Sequence, residues 1–402
     1  MFGILSGLWG LSAMGHEATA ARVVAAAGPA LRWVTRYLPL FYVPALVILP
    51  VSLATLSGED LGKITAIVAL GFPFSLLAAG YIVLGIRRLA AVELLPVAIP
   101  AKMPPFGAVH FAAAAAVAAV SALVLSQYAP GTHEAWGAQQ LLLLSSTVGG
   151  LLFGSTPPAF LAPFMPHPVV ATAVFAHLGC AIAGAITGAG YMPTLLSYMT
   201  KGKDGADKGA GDLLMSFLGV VVLTFGFHIY GQRALLARHV FEVVGAASLA
   251  SLASLFVTVA AGRALALEPD LTLAVAARSV TVALAMPIAV QLGVPDDLIP
   301  ICAASVLLTG LFGAVLCQRL MTVVGFVDPL TRGLATASSC HGFGTAALAA
   351  TEPAALPFCA LGYGLTGIAA SCWVVVPQVR AALLALAGKD EDAGNTKTLA
   401  PA

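Results

Sequence analysis

The sequence predicts an all-α polytopic membrane protein with about 12 transmembrane helices, some of them broken. Hydrophobic residues make up 59% of the 402 residues, charged residues only 9%, and the mean hydropathy is +0.96. A soluble domain carries about 25% charged residues, and a span needs about 20 apolar residues. The net charge of +1 indicates no nucleic-acid partner, so membrane lipid is the partner that the composition implies.

The apolar runs follow one another along the chain at the length that a span requires. The first run, MFGILSGLWGLSAM, is too short to span comfortably, so we expect that the native N-terminus has been trimmed. The predicted spans are residues 2–20, 37–56, 64–86, 107–127, 138–163, 168–190, 211–230, 238–262, 271–293, 297–322, 330–350 and 354–378.

Two polar linkers predict a division into modules. Residues 87–106 are basic and proline-rich, and residues 127–137 are polar. They separate an N-terminal membrane module, residues 1–127, from a C-terminal module, residues 138–385. Prolines and aromatic residues in YLPLFYVPALVILP predict a scaffold or dimerisation role for the first module, hence a homodimer, with a gate or hinge as the alternative. The polar residues 386–402 predict a disordered tail.

The distribution of basic residues conflicts with a simple count of these spans. The positive-inside rule places the Arg233–Arg238 region on the same side as Arg319 and Arg332. Three apparent spans separate the two groups, which is an odd number of crossings. One intervening segment is therefore re-entrant or breaks into two, and the sequence leaves both alternatives open.

A weak internal repeat is visible in the second module. The segment HLGCAIAGAITGAGYMP (177–193) resembles LLTGLFGAVLCQRLMTVVGFVDP (307–329). A glycine-containing segment follows each of them, residues 211–233 and residues 328–353 respectively. Paired interrupted helices in two halves are typical of transporter binding sites, so the repeat predicts a transporter.

The sequence contains no motif of an enzyme, metal site or cofactor site. No GxSxG, HExxH, Walker loop or metal-spaced cluster occurs, and the six cysteines lie in apolar segments without a CxxC pair. We therefore expect no enzymatic activity and no cofactor. Acidic residues avoid the middles of the spans, so the polar groups at membrane depth are cationic or hydroxylic. This pattern favours an anionic substrate.

The run DPLTRGLATASSCHGFGTAALAATEP (328–353) is the strongest functional candidate. Polar, glycine-broken backbone at membrane depth is tolerated only where protein or a water-filled cavity surrounds it. Its glycines allow close approach of a ligand, and the start of a half-helix favours an anion. The alternative is a histidine satisfied inside a helix bundle. The candidate substrate-binding residues here are Ser338, Ser339, His341, Gly342, Gly344 and Thr345.

Two further groups are weaker candidates for substrate contact. Arg278 is an intramembrane arginine, which is costly and therefore a functional candidate by default, although it could instead snorkel to the interface. For the candidates with hydroxyl groups, the alternative to substrate contact is a bond to their own helix or to a neighbouring helix, which is common in membrane spans. The first group is Arg278, Ser279 and Thr281; the second is Ser145, Ser146, Thr147, Thr224 and His228.

Four segments resemble known membrane proteins. RWVTRYLPLFYVPALVILPVS (32–52) resembles the LrgA/CidA-type proteins. GAGDLLMSFLG (209–219), RSVTVALAMPIA (278–289) and the segment 328–368 resemble the LrgB/CidB-type proteins. The two types fused in one chain are similar to the plastidal glycolate/glycerate translocator family. The positions that match the family pattern are Asp328, Pro329, Arg332, Gly333, Ala337, Ser338, His341, Gly342, Gly344, Thr345 and Ala346.

The resemblance implies a secondary carrier of photorespiration in the chloroplast inner envelope. Such a carrier exchanges glycolate and glycerate, with or without coupling to protons. Two competing functions stay open. One is a holin-like pore or regulator of cell-wall hydrolases, a role attached to the bacterial relatives. The other is a carrier of a related monocarboxylate such as pyruvate, whose site would not need to bond a 2-hydroxyl group.

Overall fold

The structure is a computed structural model that describes residues 2–54, 56–90, 92–93, 105–158, 160–161, 168–200 and 207–389. All regular secondary structure within these ranges is α-helical, which confirms the predicted fold class. The helices are α1 (Phe2–Ala13), α2 (Glu17–Val47), α3 (Leu49–Leu53), α4 (Gly58–Ala90), α5 (Ala108–Leu125), α6 (His133–Ser155), α7 (Pro168–Thr187), α8 (Tyr191–Tyr198), α9 (Ala210–Ser216), α10 (Leu218–Gly231), α11 (Arg233–Arg238), α12 (Val240–Ala264), α13 (Pro269–Val275), α14 (Val282–Gln291), α15 (Ile299–Val324), α16 (Pro329–Thr351), α17 (Leu356–Val375) and α18 (Pro377–Ala387).

Among the described residues, eight helical segments are long and apolar enough to cross a membrane. They are α2 with α3, α4, α5, α7, α9 with α10, α12, α15 and α17. The four other predicted spans correspond to α1, α6, the pair α13 and α14, and α16. The chain is therefore a multi-pass membrane protein, and the last two of these four segments differ from ordinary spans.

The chain forms two compact units. The first contains residues 1–24, 55–101 and 222–402, and the second contains residues 25–54 and 102–221. Within the first unit, α4 packs against α12, α15 and α16, and the modules at residues 1–127 and 138–385 stay a prediction. The predicted tail, 386–402, begins within α18, and its residues 390–402 lie outside the described residues.

Helices α13 and α14 form a re-entrant hairpin, here called hairpin A. The Nζ atom of Lys389 lies 2.6 Å from Asp270 Oδ1 and 2.7 Å from the carbonyl oxygen of Gly293. A straight helix would separate residues 270 and 293 by about 35 Å. The chain therefore reverses between the two helices, at residues 276–281, and both ends of the hairpin lie on one side.

Helix α16 is also a hairpin, here called hairpin B. Asp328 caps its start by accepting hydrogen bonds from the next turn, and the helix breaks at Cys340 and His341, where His341 has φ 42° and ψ −137°. Arg332 near its beginning binds Glu352 at its end, although a straight helix would separate them by about 30 Å. The two halves of α16 therefore lie side by side.

The two hairpins enter the first unit from opposite ends of α15. Hairpin A ends just before α15 begins, and hairpin B starts just after α15 ends at Gly325, a left-handed cap with φ 82°. The tip of hairpin B reaches back to the middle of α15, where His341 Nε2 donates to the carbonyl oxygen of Val306 at 3.0 Å. Inverted, discontinuous elements of this kind are typical of transporters.

Hairpin A removes the conflict in the distribution of basic residues. The chain crosses with α12, returns to the same side through hairpin A, and crosses back with α15. The regions around Arg238 and Arg319 are thus separated by two crossings and share a side. Of the two alternatives left by the sequence, the re-entrant segment is the one found in the structure.

The second unit is built around close packing of α6 and α7. A Cβ atom at Gly150 would lie 2.7 Å from Thr172 Cα, and one at Gly154 would lie 2.8 Å from Pro168 Cα. Glycine at these positions therefore lets the two backbones approach, as in other membrane helix pairs. The aromatic residues of α2 also pack in this unit, where Phe41 and Phe217 stack with ring centroids 5.0 Å apart.

Candidate functional site

The tips of the two hairpins meet the same part of α4. The guanidinium group of Arg278, in the tip of hairpin A, lies against Gly71, where a Cβ atom would be 2.6 Å from Arg278 Cζ. The next residue, Phe72, belongs to the apolar cluster that contains Cys340, in the tip of hairpin B. Two breaks in the helical backbone, about 60 residues apart in sequence, therefore lie against neighbouring residues of α4 in the core of the first unit.

Arg278 is fully buried and poorly satisfied. Its side chain is 0% exposed, and Nη2 donates to Ser75 Oγ at 2.9 Å. The Nε and Nη1 atoms have no hydrogen-bond partner, and none of the ion pairs among the described residues includes Arg278. A buried charge costs several kcal/mol unless it is paired. The arrangement therefore favours an anionic ligand, and the snorkelling alternative for Arg278 is excluded by its burial.

Three serine hydroxyls continue from Arg278. Ser75 Oγ on α4 lies 3.4 Å from Ser254 Oγ on α12, and Ser254 Oγ lies 2.8 Å from Ser279 Oγ in the tip of hairpin A. All three serines are buried. Thr281, the third candidate in this tip, is half-buried and precedes the first turn of α14, where its carbonyl oxygen accepts from Leu284 and Ala285.

His341 is held against α15 by a hydrogen bond and by close packing. A Cβ atom at Gly310 would lie 2.7 Å from His341 Cε1, so glycine is required for the imidazole to reach the carbonyl of Val306. A carbonyl can only accept, so the proton of this bond resides on Nε2 and Nδ1 is left as an acceptor. His341 is therefore positioned by protein contacts rather than free in a cavity.

The hydroxyl groups around His341 are bonded within the protein. Ser338 Oγ pairs with Thr366 Oγ1 of α17 at 3.1 Å, and Ser339 Oγ donates to the carbonyl oxygen of Ala335 at 2.7 Å. Thr345 Oγ1 donates to the carbonyl oxygen of His341 at 3.1 Å. These contacts stabilise the tip of hairpin B, so these candidate residues have a structural role there.

The two glycines of this tip have different surroundings. A Cβ atom at Gly344 would lie 2.5 Å from Thr336 Cγ2 in the opposite half of the hairpin, whereas one at Gly342 would meet none of the described atoms within 4 Å. Gly344 is thus needed for the hairpin to close, and Gly342 borders open space. The second half-helix of hairpin B starts here, and α14 of hairpin A starts at its own tip, so both present the positive end of a helix dipole.

The remaining candidates lie elsewhere. In the second unit, Ser145 and Ser146 donate to the carbonyl oxygen of Leu142, and Thr147 donates to that of Leu143. Thr224 and His228 lie on α10 in the first unit. The hydroxyls of α6 thus bond their own helix, which is the alternative weighed from the sequence.

Several residues of the site were not singled out by the sequence. Gly71, Ser75 and Ser254 are isolated small residues in apolar helices and carry no local signal.

Arg332 lies away from the hairpin tips and has a structural role. It binds Glu352, and its Nη1 atom donates to the carbonyl oxygen of Phe326 at 2.7 Å. Asp328, at the start of hairpin B, pairs with Arg87 of α4.

Comparisons with known proteins cover both hairpins. The sequence profile of the LrgB-like family matches residues 160–379, which include both hairpins. Plastidal glycolate/glycerate translocator 1, chloroplastic, from Arabidopsis thaliana is 40% identical over 360 residues, which is 90% of this chain and 69% of that relative. No solved structure matches the chain.

Proposed function

The chain belongs to the LrgB-like family of membrane proteins, and from this premise we propose that it is a secondary carrier that exchanges glycolate and glycerate. The relative from Arabidopsis thaliana is a glycolate/glycerate translocator by name. The expectation that the chain is not an enzyme agrees with that name. We place the carrier in the chloroplast, in the inner envelope membrane, where it would serve photorespiration, and a homodimer stays a prediction.

The observation that carries this proposal is the unpaired Arg278 at the meeting point of the hairpins. Glycolate and glycerate are small anions, and a carboxylate can accept two hydrogen bonds from a guanidinium group. The substrate carboxylate would pair with Arg278, while the helix starts at the two tips add further positive potential. Binding would then remove the electrostatic cost of burying Arg278 without a partner.

The hairpins also support alternating access. Each is anchored by its ends on one side of the membrane domain, and its tip lies in the interior. Movement of one hairpin would expose the site to the side from which that hairpin enters, while the other hairpin keeps the opposite side closed. A substrate could thus exchange sides without a continuous pore.

Transport into liposomes tests the proposal against both competing functions. We expect uptake of labelled glycerate to saturate and to accelerate when glycolate is enclosed in the liposomes. Uptake that neither saturates nor responds to internal glycolate would favour the holin-like pore. Acceleration by internal pyruvate as strong as that by glycolate would favour a general monocarboxylate carrier, because a site that bonds a hydroxyl group rejects analogues without it.

A further inference from the structure

The serine cluster beside Arg278 joins three parts of the first unit. Ser75 belongs to α4, Ser254 to α12 and Ser279 to the tip of hairpin A. Their oxygen atoms form a continuous series from Arg278 Nη2, with separations of 2.9, 3.4 and 2.8 Å. Serines within helices can bond the carbonyl group one turn earlier, but the contacts of these three run between elements.

A count of protons indicates that this series is incomplete. Three hydroxyl groups carry three protons, and the two hydrogen bonds between them use two. Arg278 can only donate, so it consumes an acceptor on Ser75 and no proton. One hydroxyl proton of the cluster is therefore not used in these contacts, and a buried donor of this kind is costly unless it finds an acceptor.

The position of the cluster matches one particular group of the substrate. In a 2-hydroxycarboxylate, the hydroxyl is attached to the carbon next to the carboxylate. A partner for that hydroxyl must therefore lie beside the partner of the carboxylate. Ser279 follows Arg278 directly in the chain, and Ser75 is in contact with its guanidinium group, so the cluster meets this requirement.

We propose that Ser75, Ser254 and Ser279 form the subsite that recognises the 2-hydroxyl group of the substrate. The proposal rests on the function proposed above and adds the basis of its selectivity. The substrate hydroxyl accepts the unused proton of the cluster and donates in turn to a serine oxygen. An acid without the hydroxyl leaves this buried donor without a partner, and is rejected for that reason.

Counter-exchange of glycolate and acetate by purified protein in liposomes tests the subsite, because the two acids differ only in the hydroxyl group. We expect the wild-type protein to prefer glycolate by at least about a hundredfold. Ser254→Ala should reduce that preference at least tenfold by slowing glycolate exchange, with acetate exchange unchanged. Ser254 is the best position for the test because, unlike Ser75, it makes no contact with Arg278 among its hydrogen bonds.

Ser251→Ala is the matched control. Ser251 is a buried serine one turn earlier on α12, and its hydroxyl donates to the carbonyl oxygen of Ser248 in the same helix. This variant should retain the wild-type preference. If Ser254→Ala does not fold, Ser279→Ala provides the same comparison from the tip of hairpin A.

The outcomes separate this inference from the proposed function. A Ser254→Ala protein that keeps the wild-type ratio of glycolate to acetate exchange, whether or not both rates fall, would overturn the subsite and leave the carrier intact. Wild-type protein without saturable exchange of glycolate would overturn the carrier and the subsite together. A selective loss of glycolate exchange in Ser254→Ala, absent from Ser251→Ala, would establish the subsite.

Discussion

Replacement of Arg278 by methionine separates a ligand-binding arginine from a structural one. Methionine matches the stem of the arginine side chain and has no charge, so Arg278→Met removes the guanidinium group and keeps the apolar packing of the stem. Among the described residues, that group makes one hydrogen bond, from Nη2 to Ser75. A hydrogen bond of a charged group contributes about 1.5–3 kcal/mol, whereas burial of an unpaired charge costs several kcal/mol.

We therefore expect the ligand-free Arg278→Met protein to be as stable as the wild type or more stable. Exchange of glycolate should fall by two to three orders of magnitude, since loss of a buried charged contact costs ~3–4 kcal/mol. Arg332→Met is the control, because Arg332 is bonded to Glu352 and to backbone carbonyls. Arg332→Met should be destabilised, since removal of the guanidinium group leaves Glu352 without an ion-pair partner.

The assay is the apparent unfolding temperature in detergent, measured with and without glycolate, together with exchange in liposomes. Glycolate at a hundred times its dissociation constant should stabilise the wild-type protein by about 2.7 kcal/mol. The same addition should leave the unfolding temperature of Arg278→Met unchanged. Stabilisation of Arg278→Met by glycolate, or exchange at the wild-type rate, would refute the assignment of Arg278 to the substrate carboxylate.

Two further variants examine hairpin B. Gly342→Ala should lower exchange without lowering the unfolding temperature. A methyl group there would meet none of the described atoms, but it would obstruct a ligand. Exchange at the wild-type rate would show that the substrate does not bind beside Gly342. Glu352→Gln should lower the free energy of unfolding by about 1–3 kcal/mol, because it weakens a partly buried ion pair with Arg332. Hydrogen exchange across residues 329–352 should then rise, and unchanged protection would show that the pair does not hold the hairpin together.

The sequence was sufficient to predict the break in hairpin B, but not the break and reversal of hairpin A. His341 stands between hydroxyl-bearing and glycine residues, a local composition that predicts an interruption. The reversal of hairpin A depends on Lys389, about a hundred residues later in the chain. No local pattern encodes such a contact, so the segment 271–293 was predicted to be a span like the others.

The candidate site was predicted in part for the same reason. Arg278 was recognisable because a charge is rare in an apolar segment. Ser75 and Ser254 were not recognisable, because single serines are common in membrane helices and usually bond their own backbone. Only their contacts with one another, with Ser279 and with Arg278 distinguish them, and those contacts are a property of the folded chain.

The contacts of Lys389 with Asp270 and Gly293 bear on the order in which the protein assembles during synthesis. The halves of hairpin A have 7 and 10 residues, too few to cross a bilayer alone, so this segment cannot be inserted as an independent unit. Its two ends are held together by a side chain that leaves the ribosome only after α18. We therefore expect the proposed substrate site to form after insertion of the surrounding helices, late in the maturation of the protein.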